Sequence, residues 1–281
     1  MIADDHSERY TRMTVKGRVV MVTGASSGIG EATARLLAER GATVICTSER
    51  EPDLKRVTDS IRDAGGNAVP VVVDFSKPEA VDGLIEKLET NVGPIDVLIN
   101  NAGVGMRAQV TERPFADTRF VLEVNFFAVA SLCSQLLPRM YSRNSGRIIN
   151  VSSAAGQFGC AGMSAYSASK GAIHAYSQAV RVEALAHNVY ISEVVPISVR
   201  TAFFQNVRGK TYKPLGIVLT VESVAKCIVN CAERNKPAAE VWPYFWIRMV
   251  FILNAFFPGL FVKLNFRTFK RNLNEHGESI K

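Results

Sequence analysis

The chain is poor in the residues that hold metals and disulfides. Its 281 residues include only five cysteines and four histidines. Only Cys227 and Cys231 are close in sequence, and one such pair without a second Cys/His pair makes a poor metal site. No two histidines have ligand spacing with a carboxylate. We therefore expect no metal ion, and the scattered thiols fit a reducing compartment.

Long runs of one charge are also missing. The formal net charge is +7, but the basic residues form no stripe apart from a C-terminal run of Lys263, Arg267, Lys270 and Arg271. We therefore expect no nucleic-acid partner. Residues 1–14 are polar and mixed in charge, without the apolar stretch of a secretory signal. We expect them to be a short disordered tail on a cytoplasmic protein.

Short β-branched runs alternate with longer helical patterns, which is typical of a parallel sheet with helices on both faces. The predicted strands are Arg18–Val22, Thr43–Thr47, Ala68–Val73, Ile95–Ile99, Arg147–Val151, Val189–Val195 and Ala239–Trp242. The predicted helices lie near residues 29–40, 52–64, 77–91, 112–142, 164–187 and 221–234. We predict an α/β fold over residues 15–242, a Rossmann-like doubly wound parallel β-sheet of about seven strands. Residues 243–281 would form a C-terminal extension.

A glycine-rich segment, TGASSGIG, joins the first predicted strand to the first predicted helix. Glycines at such a turn let the backbone approach a pyrophosphate, and the helix N-terminus supplies free N–H groups and a positive dipole. The segment lacks the Gly-Lys-Ser/Thr ending of a triphosphate-binding loop. We expect it to bind a dinucleotide through Thr23, Gly24, Ser26, Ser27, Gly28, Ile29 and Gly30.

The end of the second predicted strand bears on which dinucleotide is bound. An acidic residue there would accept hydrogen bonds from the adenosine ribose and repel a 2′-phosphate. The chain has Ser48 at that place, and the nearby Arg50 could pair with a 2′-phosphate. Glu49 favours the opposite choice. We expect NADP(H) to be favoured over NAD(H).

Tyr166 and Lys170 form a candidate proton-transfer pair. They are four residues apart at the start of a helical pattern, so their side chains share one face. A free tyrosine has a pKa of ~10, and half-ionising it near pH 7 requires roughly 4 kcal/mol. A lysine ammonium about 4 Å away, at an effective dielectric of ~20, contributes on the order of 4 kcal/mol. We therefore expect Lys170 to lower the pKa of Tyr166 toward neutrality.

Three further motifs accompany this pair, which alone would be a common pattern on a solvated helix face. The sequence NNAG at 100–103 follows the fourth predicted strand, Asn125 lies in the long helix after it, and Ser153 follows the fifth strand. With the Thr23–Gly30 loop, these motifs resemble the short-chain dehydrogenase/reductase family in order and approximate spacing. The resemblance covers roughly residues 16–242. It implies an NAD(P)-dependent oxidoreductase that assembles as a homodimer or homotetramer.

The resemblance implies a role for each member of a catalytic tetrad. Tyr166 would donate or accept the proton at the substrate oxygen, and Ser153 would orient that oxygen. Lys170 would lower the pKa of the tyrosine and bind the nicotinamide ribose. Asn125 would hold a water molecule in a proton relay to the lysine.

The resemblance also implies cofactor contacts outside the glycine-rich loop. From the adenine end to the carboxamide end these residues are Asp74, Phe75, Asn101, Ala102, Gly103, Pro196, Val199 and Thr201. Asp74 would contact the adenine amino group. The chain departs from the family pattern at Ile197, where a glycine usually follows the proline. Because a branched residue does not easily adopt positive φ, we expect the local loop to differ.

Two segments outside these motifs are rich in aromatic residues. The loop from Ala202 to Leu219 carries Phe203, Phe204, Tyr212 and Leu215. This composition favours a bulky apolar ligand over a sugar or a small acid. The second segment, Val241–Val262, holds a single charge, Arg248, and two prolines.

The second segment has a length that approaches the ~30 Å core of a bilayer at ~1.5 Å per residue. Its prolines and its arginine argue against a spanning helix. Three alternatives stay open. It could form a wall and lid of the substrate pocket, pack against another subunit, or lie in a membrane interface as a peripheral contact.

The motifs together lead to one function and one alternative. The first is interconversion of a carbonyl and a secondary alcohol on a hydrophobic substrate such as a steroid, a retinoid or a long-chain keto-lipid. The alternative is an NADP(H)-binding sensor or scaffold with little turnover. The complete set of Asn125, Ser153, Tyr166 and Lys170 argues against the alternative, because a scaffold needs none of the four.

Overall fold

Seven strands form one parallel sheet in the computed structural model, which describes residues 14–201, 203, 208–209 and 218–275. The strands are β1 (Val19–Thr23), β2 (Thr43–Ser48), β3 (Asn67–Val72), β4 (Val97–Asn100), β6 (Gly146–Val151), β7 (Val189–Val194) and β9 (Glu240–Val241). Their spatial order is β3-β2-β1-β4-β6-β7-β9. A second parallel pair joins β5 (Met106–Arg107) to β8 (Arg208–Gly209). The predicted doubly wound parallel sheet is confirmed.

Helices cover both faces of the sheet. They are α1 (Gly28–Glu39), α2 (Glu51–Asp63), α3 (Pro78–Val81), α4 (Leu84–Val92), α5 (Phe115–Leu122), α6 (Ala128–Ser142), α7 (Ser164–Leu185), α8 (Val221–Glu233), α9 (Phe245–Phe256) and α10 (Pro258–Glu275). Val20 and Val22 of β1 pack in a core with side chains of α1, α2 and α8. Met21, between them, packs in a second core with α4, α6 and α7. Both faces of β1 are therefore buried, which explains its unbroken apolar sequence.

The long helix predicted for residues 112–142 is interrupted. A 3₁₀ turn at Val110–Glu112 precedes α5, and a π-helical turn at Glu123–Phe127 separates α5 from α6. The π turn contains Asn125, one of the predicted catalytic residues. Such turns inside α-helices are frequent at functional sites, because they redirect a side chain that a regular helix would place elsewhere.

The C-terminal extension forms α9 and α10. The axes of Arg248–Phe256 and Pro258–Arg267 meet at 116°. Pro258 begins α10, at a helix start where its missing N–H costs no hydrogen bond. Of the N-terminal tail predicted over 1–14, residues 1–13 lie outside the described residues, as do 276–281.

Among the described residues, Phe115–Ser142 is one helical stretch long and apolar enough to cross a membrane, and the bent pair in α9 and α10 passes the same test jointly. Half of the Phe115–Ser142 stretch is buried inside the fold. This stretch is therefore a core helix. In the hairpin formed by α9 and α10, large apolar side chains such as Trp246 and Phe256 are exposed.

Candidate active site

A cavity of about 790 Å³ opens at the carboxyl ends of the parallel strands. Most of the predicted site residues line it: Gly24, Ser26, Ser27, Gly28, Ile29, Ser48, Arg50, Phe75, Asn101, Ala102, Gly103, Ser153, Tyr166, Lys170, Pro196, Val199 and Thr201. Four predicted residues are not part of its lining, namely Thr23, Gly30, Asp74 and Asn125. Ligands of open α/β sheets bind at this edge, at the point between β1 and β4 where the strand order reverses.

The glycine-rich loop after β1 has no room for side chains at two positions. A Cβ on Gly30 would lie 2.1 Å from the carbonyl oxygen of Gly24, and a Cβ on Gly24 would lie 2.9 Å from the Cα of Ala102. Gly24 also has a φ of +67°, which side chains rarely tolerate. Because both positions are glycine, the backbone of the loop packs closely at the start of α1. The resulting backbone cradle fits a pyrophosphate.

Thr23 and Asn101 fasten this loop to the end of β4. The Thr23 hydroxyl accepts hydrogen bonds from the backbone N–H groups of Asn101 and Ala102, both at 2.9 Å. The Asn101 amide donates to the Thr23 carbonyl at 3.0 Å. Thr23 therefore supports the cavity from behind its lining.

Three serines and two arginines meet where the cavity reaches the end of β2 and the start of α2. The Ser48 hydroxyl donates to the Ser26 hydroxyl at 2.8 Å, and Arg50 Nη2 donates to the hydroxyls of Ser26 and Ser27 at 3.1 and 2.7 Å. Arg56 on α2 donates to the Ser26 carbonyl at 3.3 Å. The sequence reasoning missed Arg56, because its approach to Ser26 depends on how α2 packs beside α1.

Asp74 lies beside the cavity, and its own loop engages its carboxylate. It accepts hydrogen bonds from the Ser76 hydroxyl at 2.6 Å and the Ser76 backbone N–H at 3.0 Å. The hydroxyl bond from Ser76 lowers the pKa of this carboxyl below its ordinary value. Phe75 and Val73 reach the cavity wall instead. The contact of Asp74 with adenine stays a prediction.

Tyr166 is buried at the end of the cavity opposite the serines. Burial raises its pKa to about 12, and the hydrogen bond with the Ser153 side chain opposes that rise. The ring of Phe203 lies 5.8 Å from the tyrosine ring, centroid to centroid. The expected lowering of the tyrosine pKa by Lys170 is not found, because the loss of hydration outweighs every favourable interaction of the phenolate.

Lys170 is buried beneath the tyrosine. Its Nζ lies 5.9 Å from the centroid of the Tyr166 ring and donates to the Val151 carbonyl at 2.9 Å. Burial lowers the pKa of Lys170 to about 8, and the buried carboxylate of Glu193 opposes that change. The lysine is therefore poised to exchange a proton near neutral pH.

Asn125 connects the π turn to the floor of the site. Its amide donates to the Val104 carbonyl at 3.1 Å and to the Ser169 hydroxyl at 2.9 Å, and its oxygen accepts from the Val104 N–H at 2.8 Å. Ser169 in turn donates to the Tyr166 carbonyl at 2.8 Å. Sequence reasoning missed Ser169, although it lies within the Tyr-to-Lys motif. Asn125 thus braces the first turn of α7, which carries the tyrosine.

Gly156 is a third residue that the sequence reasoning missed. A Cβ there would lie 2.6 Å from the carbonyl carbon of Lys170, so only glycine lets the turn after Ser153 approach α7 so closely. The 3₁₀ turn Ala154–Gly156 begins at Ser153, whose hydroxyl also accepts from the Ala155 N–H at 3.1 Å. This contact sets the distance between the serine and the lysine.

The loop after β7 lines the cavity together with Tyr166. The Pro196 carbonyl accepts from the Ala154 N–H at 2.9 Å, which ties the loop to the turn after Ser153. Ile197 has a negative φ, since the non-glycine residues with positive φ in the described part of the chain are Asn144 and Asn188. Of the aromatic residues predicted for the following loop, Phe203 lines the cavity. The predicted Phe204, Tyr212 and Leu215 lie outside the described residues.

A buried acid lies behind the catalytic helix. Glu193 on β7 has no exposed surface, and its Oε2 is 2.8 Å from Nδ1 of His174. Its Oε1 has no hydrogen-bond partner among the residues that the structure describes. Ligand atoms of His174, Glu193 and Glu240 lie within 4.8 Å of one another. The absence of a metal stays a prediction, and the clearest role of this cluster is to hold His174, whose pKa the Glu193 hydrogen bond raises.

The geometry defines a class of protein. A parallel α/β sheet, a glycine-rich loop at its switch point, and a buried tyrosine bonded to a serine above a lysine together form a dinucleotide-dependent oxidoreductase. Residues 18–211 match the family model described as short chain dehydrogenase. The chain therefore belongs to the short-chain dehydrogenase/reductase family, as the sequence motifs predicted, and it is an NAD(P)-dependent oxidoreductase.

Known proteins of related sequence include two reductases. The chain is 38% identical to a protein named "Ketoacyl reductase HetN" from Nostoc over 224 residues, which cover 79% of this chain and 77% of the other. It is 35% identical to a "Fatty acyl-CoA reductase" from Acinetobacter baylyi over 224 residues, covering 79% and 75%.

Solved structures of the family share the fold and differ in the dinucleotide that they contain. A short-chain dehydrogenase/reductase from Burkholderia phymatum in complex with NAD has a TM-score of 0.78 and 25% identity, covering 88% of this chain and 96% of the other. A metagenomic short-chain oxidoreductase in complex with NADP has a TM-score of 0.71 and 31% identity, covering 82% and 97%.

Proposed function

We propose that this protein interconverts a carbonyl and a secondary alcohol on a hydrophobic substrate, with Tyr166 as the acid or base at the substrate oxygen. The observation that carries the proposal is the position of Tyr166. Its phenol is buried at the end of the cavity and hydrogen-bonded to Ser153, and Lys170 lies beneath its ring. Bound NADPH would supply the hydride in the direction of reduction.

Protonation states favour Tyr166 as the proton donor in reduction. With a pKa of about 12, the phenol is neutral at pH 7 and can donate to the developing alkoxide. Ser153 would orient that oxygen, and Lys170, with a pKa of about 8, would return a proton through a water molecule held by Asn125. Lys170 would also bind the nicotinamide ribose.

We propose NADP(H) as the preferred cofactor. The hydroxyls of Ser26, Ser27 and Ser48 and the guanidinium of Arg50 converge where a 2′-phosphate would lie, and an anion there would accept several of their hydrogen bonds. Arg56 adds a second positive charge, which pairs with Glu31 at 2.8 Å, and Arg50 pairs with Asp53 at 3.2 Å. Glu49, which would favour NAD(H), lines the cavity with an exposed side chain.

We propose a lipid-like substrate, such as a long-chain keto-lipid, a steroid or a retinoid. The cavity wall beside Tyr166 carries the apolar side chains Met106, Phe120, Phe158, Met163, Ile197 and Phe203. Two relatives are named for ketoacyl and fatty acyl reduction. These names favour the keto-lipid within the proposed set.

We also propose that the protein is a cytoplasmic homodimer or homotetramer with three parts. They are a tail of residues 1–14, a catalytic domain of residues 15–242, and an extension of residues 243–281 that contacts a membrane surface.

Apolar side chains on two neighbouring helical segments support the oligomer. Phe127, Val182 and Leu185 are each at least half exposed in the single chain, and a subunit contact would cover them.

The experiment is a turnover assay with purified protein, NADPH or NADH, and a panel of aliphatic and cyclic ketones of increasing length. We expect NADPH oxidation on the longer ketones, a loss of at least about 100-fold in kcat for Tyr166→Phe, and weaker selection against NADH for Arg50→Ala. Glu49→Gln removes a charge of the opposite sign at the same strand end and should strengthen the selection against NADH. Wild-type rates in Tyr166→Phe would contradict the assigned role.

A further inference from the structure

The hairpin of α9 and α10 exposes an unusual share of large apolar side chains. Among the described residues, twelve of these exposed side chains lie within 244–266 and six lie in the rest of the chain. The most exposed are Trp246 at 74%, Phe256 at 73% and Val262 at 69%. A contiguous apolar surface of this kind marks a contact with a protein or a membrane.

The charges on the hairpin are mostly positive. From Phe245 to Glu275 the sequence contains five basic residues and one acidic residue, Glu275 at the end of α10. Lys263, Arg267 and Lys270 follow one another at helical spacing along α10 and are exposed. Val262 and Phe266 occupy a neighbouring line of the same helix. An apolar line beside a basic line is the pattern of a helix that lies in the interface of an anionic bilayer.

The geometry of the hairpin favours an interfacial position over a spanning one. Helix α9 has 12 residues, which at ~1.5 Å each reach roughly 18 Å, well short of a ~30 Å bilayer core. The bend of 116° prevents α10 from continuing that path. Arg248 lies near the start of α9, so each helix carries a charge that favours the headgroup region.

The hairpin is fastened beside the cavity. The Asn265 amide donates to the Gly159 carbonyl at 2.6 Å, and the Asn265 oxygen accepts from the Ala161 N–H at 3.4 Å. The residues that flank and separate these positions, Phe158, Cys160 and Met163, line the cavity. A surface that binds the hairpin would therefore lie next to the apolar end of the active site.

We propose that α9 and α10 form an interfacial hairpin that docks the protein on a bilayer containing anionic lipids, and that docking places the apolar end of the cavity against the lipid. The second half of this statement rests on the proposed hydrophobic substrate. The first half rests on the exposed apolar side chains and the matching positive charge.

The experiment is flotation of the full-length protein, saturated with NADPH, with phosphatidylcholine vesicles that contain or lack phosphatidylglycerol. We expect binding to the anionic vesicles, with a blue shift of tryptophan fluorescence as Trp246 leaves water. Raising the salt concentration should weaken binding, because salt screens the exposed charges. The triple variant Lys263→Glu/Arg267→Glu/Lys270→Glu should bind at least about 100-fold more weakly.

The matched control reverses the same number of charges elsewhere. Lys16, Lys87 and Lys226 are exposed lysines on the catalytic domain, and their replacement by Glu should leave vesicle binding within a factor of about three. Equal loss in both triple variants would overturn the proposal. So would failure of the wild type to float, or cross-linking that finds the hairpin covered by a second copy of the chain.

Flotation and turnover separate the two proposals. A protein that floats with anionic vesicles but turns over no ketone contradicts the proposed function and keeps the docking surface. A protein that reduces ketones but never floats keeps the function and contradicts the docking surface. Asp substitutions at Leu253 and Phe256, each exposed by half or more, should abolish the fluorescence shift of Trp246 if the apolar face enters lipid.

Discussion

The cavity and the C-terminal hairpin are built in opposite ways with respect to water. The cavity floor buries groups that water solvates well, with Lys170 only 5% exposed and Glu193 fully buried. The hairpin leaves indole and phenyl rings in water. Burying charged groups and exposing aromatic rings are both less stable than exposing the charges and burying the rings. The cavity compensates with hydrogen bonds inside the chain, whereas the hairpin has no comparable compensation within the described residues.

A second comparison explains why composition alone does not separate these regions. The inner segment, Phe115–Ser142, and the bent pair in the hairpin both meet the length and hydropathy criteria for crossing a membrane. The inner segment packs Leu132, Leu136 and Met140 in the core beneath the sheet. The hairpin is hydrogen-bonded to the loop before α7 through Asn265. Packing, and not hydropathy, distinguishes a core helix from a docking helix.

The largest expected effect contrasts one leucine from each segment. Leu136→Ala should lower the free energy of unfolding by about 2–5 kcal/mol, because Leu136 is fully buried and its loss leaves a cavity. Leu253→Ala, at a position 51% exposed, should change it by less than about 0.5 kcal/mol. Equilibrium denaturation at fixed protein concentration, without lipid, measures both. A comparable loss for Leu253→Ala would mean that the hairpin is packed against another subunit.

The next effect tests the buried charge of Lys170. Its pKa of about 8 lies below the 10.5 of a free lysine, so the folded chain releases this proton before the unfolded chain does. Below pH 8 the burial penalty acts in full. Between pH 8 and 10.5 the stability of the wild type should therefore rise relative to Lys170→Met, by up to about 3 kcal/mol.

Denaturation of both proteins across that pH range measures the difference and cancels the titration of all other groups. If the difference in unfolding free energy between the two proteins does not change with pH, the ammonium of Lys170 is hydrated in the folded protein. Lys170 would then not be a buried charge, and the cavity would not differ from the hairpin in this respect.

How far the sequence predicts this structure differs from feature to feature. The parallel strands were predictable because most contain a short apolar run between turn residues, as Val97–Ile99 in β4. The π turn was not, because the bonds that accompany it join Asn125 to Val104, 21 residues away. Hydropathy continues smoothly through that turn, so periodicity predicted one long helix.

The chemistry of the site divides in the same way. The motif identified Tyr166, Lys170 and Ser153 correctly as neighbours, because helical spacing and strand order fix their positions. The direction of the tyrosine pKa was wrong, because the sequence gives the attraction of a lysine but not the loss of hydration on burial. Arg56 was missed for a related reason, since its contact with Ser26 depends on how α2 packs beside α1.

The smallest expected effect concerns His174. Its partner Glu193 also interacts electrostatically with Lys170. Glu193 faces His174, Lys170 and Arg181 from α7 and Glu240 from β9. The hydrogen bond raises the pKa of His174 above its ordinary 6.5, so the stabilisation is complete below pH 6.5 and is lost as pH rises through the raised value. His174→Gln should therefore destabilise the protein by about 1–2 kcal/mol at pH 6 and by less at pH 9.

Thermal or chemical unfolding at the two pH values checks this prediction, with Gln178→Ala as the control, because Gln178 contacts the other ring nitrogen of His174 at 3.0 Å without touching the acid. An equal effect of His174→Gln at both pH values would mean that the imidazole holds Glu193 as a neutral donor. Repeating the measurement with added Zn²⁺ also tests the predicted absence of a metal. If Zn²⁺ stabilised the wild type but not His174→Gln, the unpartnered oxygen of Glu193 would be a ligand, and that prediction would be wrong.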